Sequence, residues 1–361
     1  MEFDVAQRTI YLARHGSHAY GLATPTSDVD VKGVCIAPMA YHFGFTKSFE
    51  QQELLAAKGN PEDKTVYALD KFARLAANGN PAIIEVLFVD DSDVLVADEF
   101  GERLRAMREQ FLSKKARFTF SGYAHDQLKR IERHRRWLTK GKPVRPTREE
   151  CGLPERTVIS ADQLAAAQSA ITKKLARWNL DDMTEIEPAM RIVLTSLMRD
   201  SLAEMQIASD TAWKAAGRTI GYSENFLVLL DCERRYKARM DECDAYDEWE
   251  LKRNPARAEL ERKFGYDTKH GSHLIRLMRM CREIMQGKGV IVKRPDAEEL
   301  LAIKLHGTMS YDTLIAEATA LDLECKELYE SRSCTLRREP NRAWLDEQVV
   351  DMTARYLAKH G

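Results

Sequence analysis

The fold is decided by the stretch Arg14-His-Gly-Ser-His-Ala-Tyr-Gly-Leu-Ala-Thr-Pro-Thr-Ser-Asp28-Val-Asp30-Val-Lys-Gly-Val-Cys-Ile36. The apolar run from Ile10 to Ala13 predicts a strand that leads into Gly16 and Ser17. Because glycine has no Cβ, backbone N–H groups and the serine hydroxyl can approach a phosphate closely at such a turn. The sequence therefore predicts that Gly16 and Ser17 bind phosphate.

Two aspartates follow in the same stretch. Asp28 and Asp30 open an apolar strand, whose two-residue period sends both carboxylates out of one face. Neighbouring carboxylates repel each other, and they suit magnesium, which completes its octahedron with water and substrate phosphates. Alone, Asp-x-Asp is more often a solvated strand edge or a helix cap than a metal site. Its combination with a preceding Gly-Ser turn favours a magnesium and phosphate site.

The surroundings of this stretch predict a small α/β domain over residues 1–100, a mixed sheet flanked by helices. The segment from Asp70 to Ala77 has helical spacing and stops at Asn78-Gly79-Asn80-Pro81. Further short β-type runs are Val29 to Ile36, Thr65 to Leu69 and Ile83 to Val89.

Residues 101–361 predict a mostly helical second domain. Apolar residues recur at helical spacing in charged segments, as at Leu104, Met107 and Phe111. Breaks are expected at residues 141–146, which contain two prolines, and in the polar run 241–257.

The composition narrows the possible functions. The chain has 55 Lys plus Arg against 56 Asp plus Glu, so no global charge excess indicates a nucleic-acid or membrane partner. Seven scattered cysteines without a C-x-x-C pair argue against a disulfide framework and a structural zinc. The first eight residues have no apolar core, and no segment approaches the roughly 18 apolar residues of a membrane span. We expect a cytoplasmic protein without a membrane contact, and no obligate protein partner is evident.

The Gly-Ser turn followed by Ser-Asp-x-Asp and an apolar strand resembles the signature of the DNA polymerase beta nucleotidyltransferase superfamily. Within it, Gly21 to Asp30 and Gly79 to Phe88 resemble the RlaP/YcgL-like predicted nucleotidyltransferases, bacterial and phage proteins associated with RNA repair. The helical part carries further similar motifs: Tyr123 to Gln127, His134 to Trp137, Pro146 to Arg148, Gly265 to Arg276 and Lys293 to Asp296.

The resemblance implies a third carboxylate on a neighbouring strand, for which Asp63 is the matching residue. Glu62 and Glu85 stay open as assisting groups, although a buried acid that orders its neighbours is the simpler interpretation of Glu85. Asp28, Asp30 and Asp63 would then be catalytic and hold two magnesium ions, with Asp63 the candidate proton acceptor. An NTP would be the donor, its β and γ phosphates held by Gly16 and Ser17.

A local excess of positive charge lies between Lys114 and Arg148, where twelve Lys or Arg accompany two acids. With the interleaved aromatics Phe118, Phe120, Tyr123 and Trp137, it favours a nucleic-acid surface. The alternative is a solvated helix face balanced by acids such as those of residues 241–250. The predicted RNA-binding residues are Lys114, Lys115, Arg130, Arg133, Arg135, Arg136, Arg145 and Arg148.

His270 and His273 are spaced to share a metal on a helix, but no third ligand is evident nearby, so packing or hydrogen bonding is the favoured role. Better candidates for contacts to nucleotide phosphates are Lys269, Arg276 and Arg294. There is no P-loop and no Gly-x-Gly-x-x-Gly motif, so neither a P-loop ATPase nor a dinucleotide enzyme is expected.

The predicted reaction is magnesium-dependent transfer of NMP from an NTP to a hydroxyl acceptor on RNA, such as a tRNA end or a broken RNA. One alternative is NMP transfer to a protein or small molecule, as in modifying toxins or antibiotic-inactivating enzymes. Another is a catalytically silent nucleotide- or RNA-binding module, against which the three carboxylates argue.

Overall fold

The computed structural model describes residues 3–54, 62–177, 205–253, 255–331 and 334–360. The chain divides into two compact units, one formed by Met1–Thr139 with Asn254–Gly361 and one by Lys140–Arg253. The C-terminal third thus belongs to the same unit as the N-terminal sheet, while the predicted domain boundary near residue 100 stays a prediction.

The first unit is built on a five-stranded mixed sheet. Its strands are β1 (Thr9–His15), β2 (Val29–Cys35), β3 (Gln51–Leu54), β4 (Glu62–Ala68) and β5 (Val94–Ala97). Their order is β3-β4-β2-β1-β5, with β2 and β4 parallel and the other neighbours antiparallel. The predicted small mixed sheet is confirmed.

The rest of the described chain is mostly helical, as predicted. The helices are α1 (Gly16–Ala19), α2 (Met39–His42), α3 (Leu69–Ala77), α4 (Pro81–Leu87), α5 (Glu99–Ala106), α6 (Ala116–Lys140), α7 (Ala161–Arg177), α8 (Met205–Ile220), α9 (Glu224–Lys252), α10 (Pro255–Phe264), α11 (Thr268–Met285), α12 (Ala297–His306), α13 (Tyr311–Glu330) and α14 (Arg342–His360). None of the described helices is both long and apolar enough to span a bilayer.

The strand predicted from Ile83 to Val89 is wrong, because this segment forms helix α4. Pro81 is at the first helical position, where its fixed φ suits a helix and its missing N–H is not needed. The side chains from Ile83 to Leu87 are all buried, including the acid Glu85, so the segment has no exposed polar face to reveal its period. A short run that is apolar on every side does not distinguish a buried strand from a buried helix.

One apolar core joins the sheet to the C-terminal helices of the first unit. Phe72 of α3 and Ile84 of α4 belong to the same buried cluster as Leu274, Ile275 and Met278 of α11. Burial at about 25 cal/mol per Å² of apolar surface therefore holds α11 against the five-stranded sheet and fixes the side chains that α11 presents. The second unit has its own core, which includes Ile171, Trp213, Leu227 and Leu230.

Candidate active site

The turn after β1 is shaped around a carboxylate. Gly16 has a φ of +66°, and a Cβ at this position would lie 2.0 Å from Oδ2 of Asp30. Only glycine fits there, both because of its backbone conformation and because the Asp30 carboxylate occupies the space. The predicted phosphate turn and the predicted metal ligand are therefore neighbours.

Strand pairing brings the second and third aspartates together. Asp30 of β2 is directly opposite Asp63 of the parallel strand β4, and both are half-buried. Asp28 lies just before β2 and is exposed. The three side chains supply only oxygen donors, the ligand type that magnesium prefers, so they fit the ion that the resemblance implies. The carboxylate oxygens of these three aspartates do not all lie within 4.8 Å of one another. Among the described residues, three metal-type ligands that close together are found elsewhere, at His134, Asp267 and His270.

A cavity of about 560 Å³ opens at the end of the sheet where β1 finishes and β2 starts. Gly16, Ser17, Asp28 and Asp30 lie on its acidic side. Cationic and histidine side chains also line it, namely His15, Lys32, Arg257, Lys269, His273, Arg276 and Lys304. Such a volume suits a small-molecule ligand, and the juxtaposition of acids with cations suits a polyanion that binds together with a metal ion.

Lys32 is a cavity residue that the sequence reasoning missed. It follows Asp30 by two positions on β2, which puts it on the same face of the strand. Burial lowers the pKa of its ammonium, and its Nζ donates to the Ala82 carbonyl at 3.2 Å. The same period-two argument that joined Asp28 to Asp30 could have identified it.

Arg257 and Lys304 were missed as well, and their sequence context gives little signal. Lys304, on α12, donates to the Leu22 carbonyl at 3.4 Å, and burial lowers its pKa. Lys269, a predicted contact to nucleotide phosphates, lines the cavity and is exposed. Arg294 is buried and donates to both Glu283 oxygens at 2.6 and 2.9 Å, so its guanidinium is already bound by the protein.

A buried charge network lies at the floor of the cavity. Arg276 donates to Glu85 Oε1 at 2.7 Å and stacks over the Tyr20 ring, with its Cζ 3.8 Å from the centroid. Tyr20 donates its hydroxyl to Glu85 Oε2, which also contacts His15 Nε2 at 3.2 Å. The network joins β1, α4 and α11 directly behind Gly16. It agrees with the interpretation of Glu85 as a buried acid that orders its neighbours.

The pKa values of this network follow from burial and from Arg276. Desolvation raises the pKa of Glu85, but the adjacent Arg276 guanidinium and the His15 hydrogen bond outweigh it and hold that pKa below its usual range. Burial, followed by the charge of Lys32, lowers the pKa of His15. Glu85 is therefore an anion and His15 a neutral imidazole near neutral pH.

The predicted RNA-binding segment separates into two groups in the structure. Several of its cations contact other parts of their own unit: Lys114 the Tyr329 carbonyl, Lys115 Glu339, Arg135 the Tyr311 ring, Arg145 Asp244 and Asp247, and Arg148 Glu233. The alternative of a face balanced by acids 241–250 thus describes Arg145. Arg130, Arg133 and Arg136 line a second, open cavity of about 490 Å³ on α6, with Lys129 and two acids, and Arg133 also lies over the Trp137 ring at 5.4 Å.

The aromatic residues of the segment divide in the same way. Phe120 and Trp137 are 0% and 3% exposed and belong to the interior, so they cannot stack on a base. Phe118 and Tyr123 are 53% and 41% exposed. Two of the four predicted stacking rings are therefore at the surface.

The comparisons with known proteins agree with this geometry. Residues 2–145 match the model of the family described as RlaP, an RNA repair pathway DNA polymerase beta family. The match contains Gly16, Ser17 and all three predicted catalytic aspartates, and it confirms the resemblance over those residues. Helices α7 to α14 lie outside it.

A protein of Enterobacteria phage T4 is also similar. Described as an uncharacterized 38.9 kDa protein in the nrdC-mobD intergenic region, it is 27% identical to this chain over 127 residues. The aligned part is 33% of this chain and 38% of the phage protein, so the chain spans well under half of that relative. No solved structure matches.

Proposed function

We propose that this protein transfers NMP from an NTP to a hydroxyl group on RNA in a magnesium-dependent reaction. The observation that carries the proposal is the in-register pair Asp30 and Asp63, of which Asp30 lies beside the Gly16 turn in a cavity that also carries cations. The match of residues 2–145 to a polymerase beta-type family supports the reaction class.

Asp28, Asp30 and Asp63 would hold the magnesium ions. When bound there, magnesium neutralises charge on the α-phosphate and the departing pyrophosphate and lowers the pKa of the acceptor hydroxyl. Asp63 lies across from Asp30 on the neighbouring strand and is the residue that we assign to orienting the acceptor or accepting its proton.

The chain's own cations would bind the triphosphate. Ser17 donates its hydroxyl from the turn after β1, while Lys269, Lys304 and Lys32 supply positive charge within the same cavity. Arg276 contributes through position, because its guanidinium is bound to Glu85 and fixes the cavity floor. The lowered pKa values of Lys32 and Lys304 reflect burial that binding of an anion would offset.

The RNA acceptor is assigned to one face of α6. Lys129, Arg133 and Arg136 are exposed and separated by four and three residues, so they form a row along the helix. Such a row suits a phosphate backbone. This surface is narrower than the predicted segment from Lys114 to Arg148.

The experiment is to incubate the full chain with each labelled NTP, magnesium and total RNA, and to separate RNA, protein and small products. Label is expected in RNA for the wild type and not for Asp30→Asn or Asp63→Asn. Asp162→Asn is the matched control, since Asp162 is exposed on α7 and does not line the cavity; it should label RNA like the wild type.

Label in protein or in a small product, with none in RNA, would replace the acceptor and keep the transfer chemistry. Magnesium-dependent NTP binding without any transfer would indicate the silent binding module and overturn the proposal. Calorimetric titration with NTP, with and without magnesium, makes that second distinction.

A further inference from the structure

A second group of metal-type ligands lies away from the aspartates, where α6 meets the start of α11. His134 Nδ1 and His270 Nε2 are each 3.6 Å from Oδ2 of Asp267. The ligand atoms of these three residues all lie within 4.8 Å of one another. Asp267 is 0% exposed, and the two histidines are half-buried.

These separations are close to those of a tetrahedral metal site. Zinc binds imidazole nitrogen and carboxylate oxygen at about 2.0–2.2 Å, which puts tetrahedral ligand atoms about 3.3 Å apart. The two separations of 3.6 Å from Asp267 therefore need only a small inward movement, and the two imidazole nitrogens, which lie within 4.8 Å of each other, would move closer together. Two imidazoles and one carboxylate with a fourth position open are a common zinc ligand set.

The surroundings orient both imidazoles as they would be oriented in a metal site. His270 Nδ1 lies 2.7 Å from Gln127 Oε1, an acceptor that matches a proton on Nδ1 and a free lone pair on Nε2, the nitrogen nearer Asp267. His134 stacks on Trp137 with ring centroids 5.4 Å apart, which fixes its ring plane.

Arg257 is the competing cation. It donates to both Asp267 oxygens and lies 3.9 Å from Oε1 of the buried Glu261. A carboxylate oxygen has more than one acceptor site, so Asp267 can accept from Arg257 and ligate a metal together. Arg257 is also divided between two buried carboxylates, so its charge does not belong to Asp267 alone.

We propose that His134, Asp267 and His270 form a binding site for one divalent transition-metal ion of the zinc class. The site is separate from the magnesium site proposed for Asp28, Asp30 and Asp63, because imidazole ligands select zinc-like ions and carboxylate oxygens select magnesium. It uses no cysteine. The sequence did not reveal it because His134 is 133 positions before Asp267.

The ion would tie the basic helix α6 to the first turn of α11. Asp267 is the N-cap of α11, accepting from the His270 backbone N–H at 3.1 Å. The residues that follow, Thr268, Lys269 and Ser272, line the main cavity. A metal at this position would therefore hold the cavity wall in register with the helix that carries the proposed RNA surface.

The test is metal binding by the full-length protein, without nucleotide or RNA. Protein stripped with a chelator is titrated with zinc and, separately, with cobalt, whose visible absorption reports imidazole and carboxylate ligation. We expect one ion per chain, a higher melting temperature with zinc, and no competition from excess magnesium. His270→Gln and Asp267→Asn should abolish the visible band and the thermal shift.

Gln127→Ala tests the orienting contact without removing a ligand, and zinc affinity should fall by about 10- to 100-fold. His125→Gln is the matched control, an exposed histidine on the same helix; its zinc binding should equal that of the wild type. Arg257→Gln should bind zinc at least as tightly as the wild type.

If the stripped wild type binds no zinc or cobalt, or if His270→Gln binds as well as the wild type, the proposal is wrong, and Arg257 alone accounts for the cluster. Because this readout involves neither transfer nor NTP, its failure leaves the nucleotidyltransferase proposal untouched.

Discussion

The carboxylates at the floor of the main cavity and those on its acidic side have opposite environments. Glu85, on the floor, is 1% exposed and is contacted by Arg276, Tyr20 and His15. Of the aspartates proposed to hold magnesium, Asp28 and Asp30 line the cavity and are exposed and half-buried, and Asp63 is half-buried on the strand next to Asp30. A carboxylate that the protein has fully surrounded stabilises structure, whereas an exposed carboxylate in a cavity wall, such as that of Asp28, can reach a metal or a substrate.

The same distinction applies to the cations. Arg294 and Arg148 donate to glutamates inside their units, whereas Lys129 and Arg133 are exposed along α6. Charge type and sequence position alone do not separate these groups. Burial and the partners supplied by distant elements do.

The largest expected effect is on catalysis, from substitution of the aspartates proposed to hold magnesium. Asp30→Asn or Asp63→Asn should reduce kcat for NMP transfer by about 1000-fold or more, because metal-borne charge stabilisation contributes several kcal/mol in the transition state. Folding should change little, since one of two neighbouring negative charges is removed. Single-turnover labelling and thermal melts measure the two effects. Wild-type turnover of either variant would show that the substituted aspartate is not a metal ligand.

Substitutions in the floor of the cavity should instead lower the stability of the fold. Glu85→Ala leaves Arg276 buried without its anion and should lower the free energy of unfolding by about 3–5 kcal/mol. The double variant Glu85→Met with Arg276→Met should lose less, because no isolated charge is left buried. Denaturant unfolding curves provide the comparison. Equal stability of Glu85→Ala and the wild type would mean that the network does not support the floor.

The sequence alone was sufficient to locate the site residues that are close together in the chain. The turn at Gly16 and Ser17 and the strand that carries Asp30 are encoded within one stretch, so glycine conformation and the two-residue period were enough to place them, although β2 begins at Val29 and leaves Asp28 just before it. The position of Asp63 was implied by the family resemblance, and the structure puts it opposite Asp30. The role of the three aspartates in catalysis stays a prediction.

The remaining features depend on contacts between distant residues. Arg276 is 191 positions from Glu85, and no local pattern shows that they form an ion pair. The strand predicted from Ile83 to Val89 is wrong, because burial on all sides of Ile83 to Leu87 hides the helical period of the segment. Arg145 was assigned to RNA although Asp244 and Asp247 bind it in the structure.

A smaller effect is expected on α6. Lys129→Gln with Arg133→Gln should flatten the salt dependence of RNA binding, because each lost phosphate contact removes about 0.7–0.9 from the log–log slope. Arg145→Gln should leave the slope nearly unchanged, since Arg145 is bound by two aspartates. Filter binding of bulk tRNA across salt concentrations measures the slopes. Equal slopes for all three proteins would remove α6 from the acceptor surface.

The smallest effect concerns His273, a half-buried residue that lines the cavity between the buried floor and the exposed acidic side. Burial, with the charges of Arg276 and Lys269, lowers its pKa from 6.5 to about 3. As pH falls from 6.5 toward 3, the unfolded chain therefore takes up a proton at His273 and the folded chain does not, so the wild type loses stability over that window. His273→Gln should make this loss shallower between pH 7 and pH 5, by at most about 1.4 kcal/mol per pH unit, the contribution of one proton.

His15 and His270, whose pKa values burial also lowers, remain in both proteins and leave a residual slope. Urea unfolding at several pH values measures the difference, with the exposed His125→Gln as control. If His273→Gln retains the full slope, His273 is protonated in the folded protein, and the cavity wall is more open to water than its burial indicates.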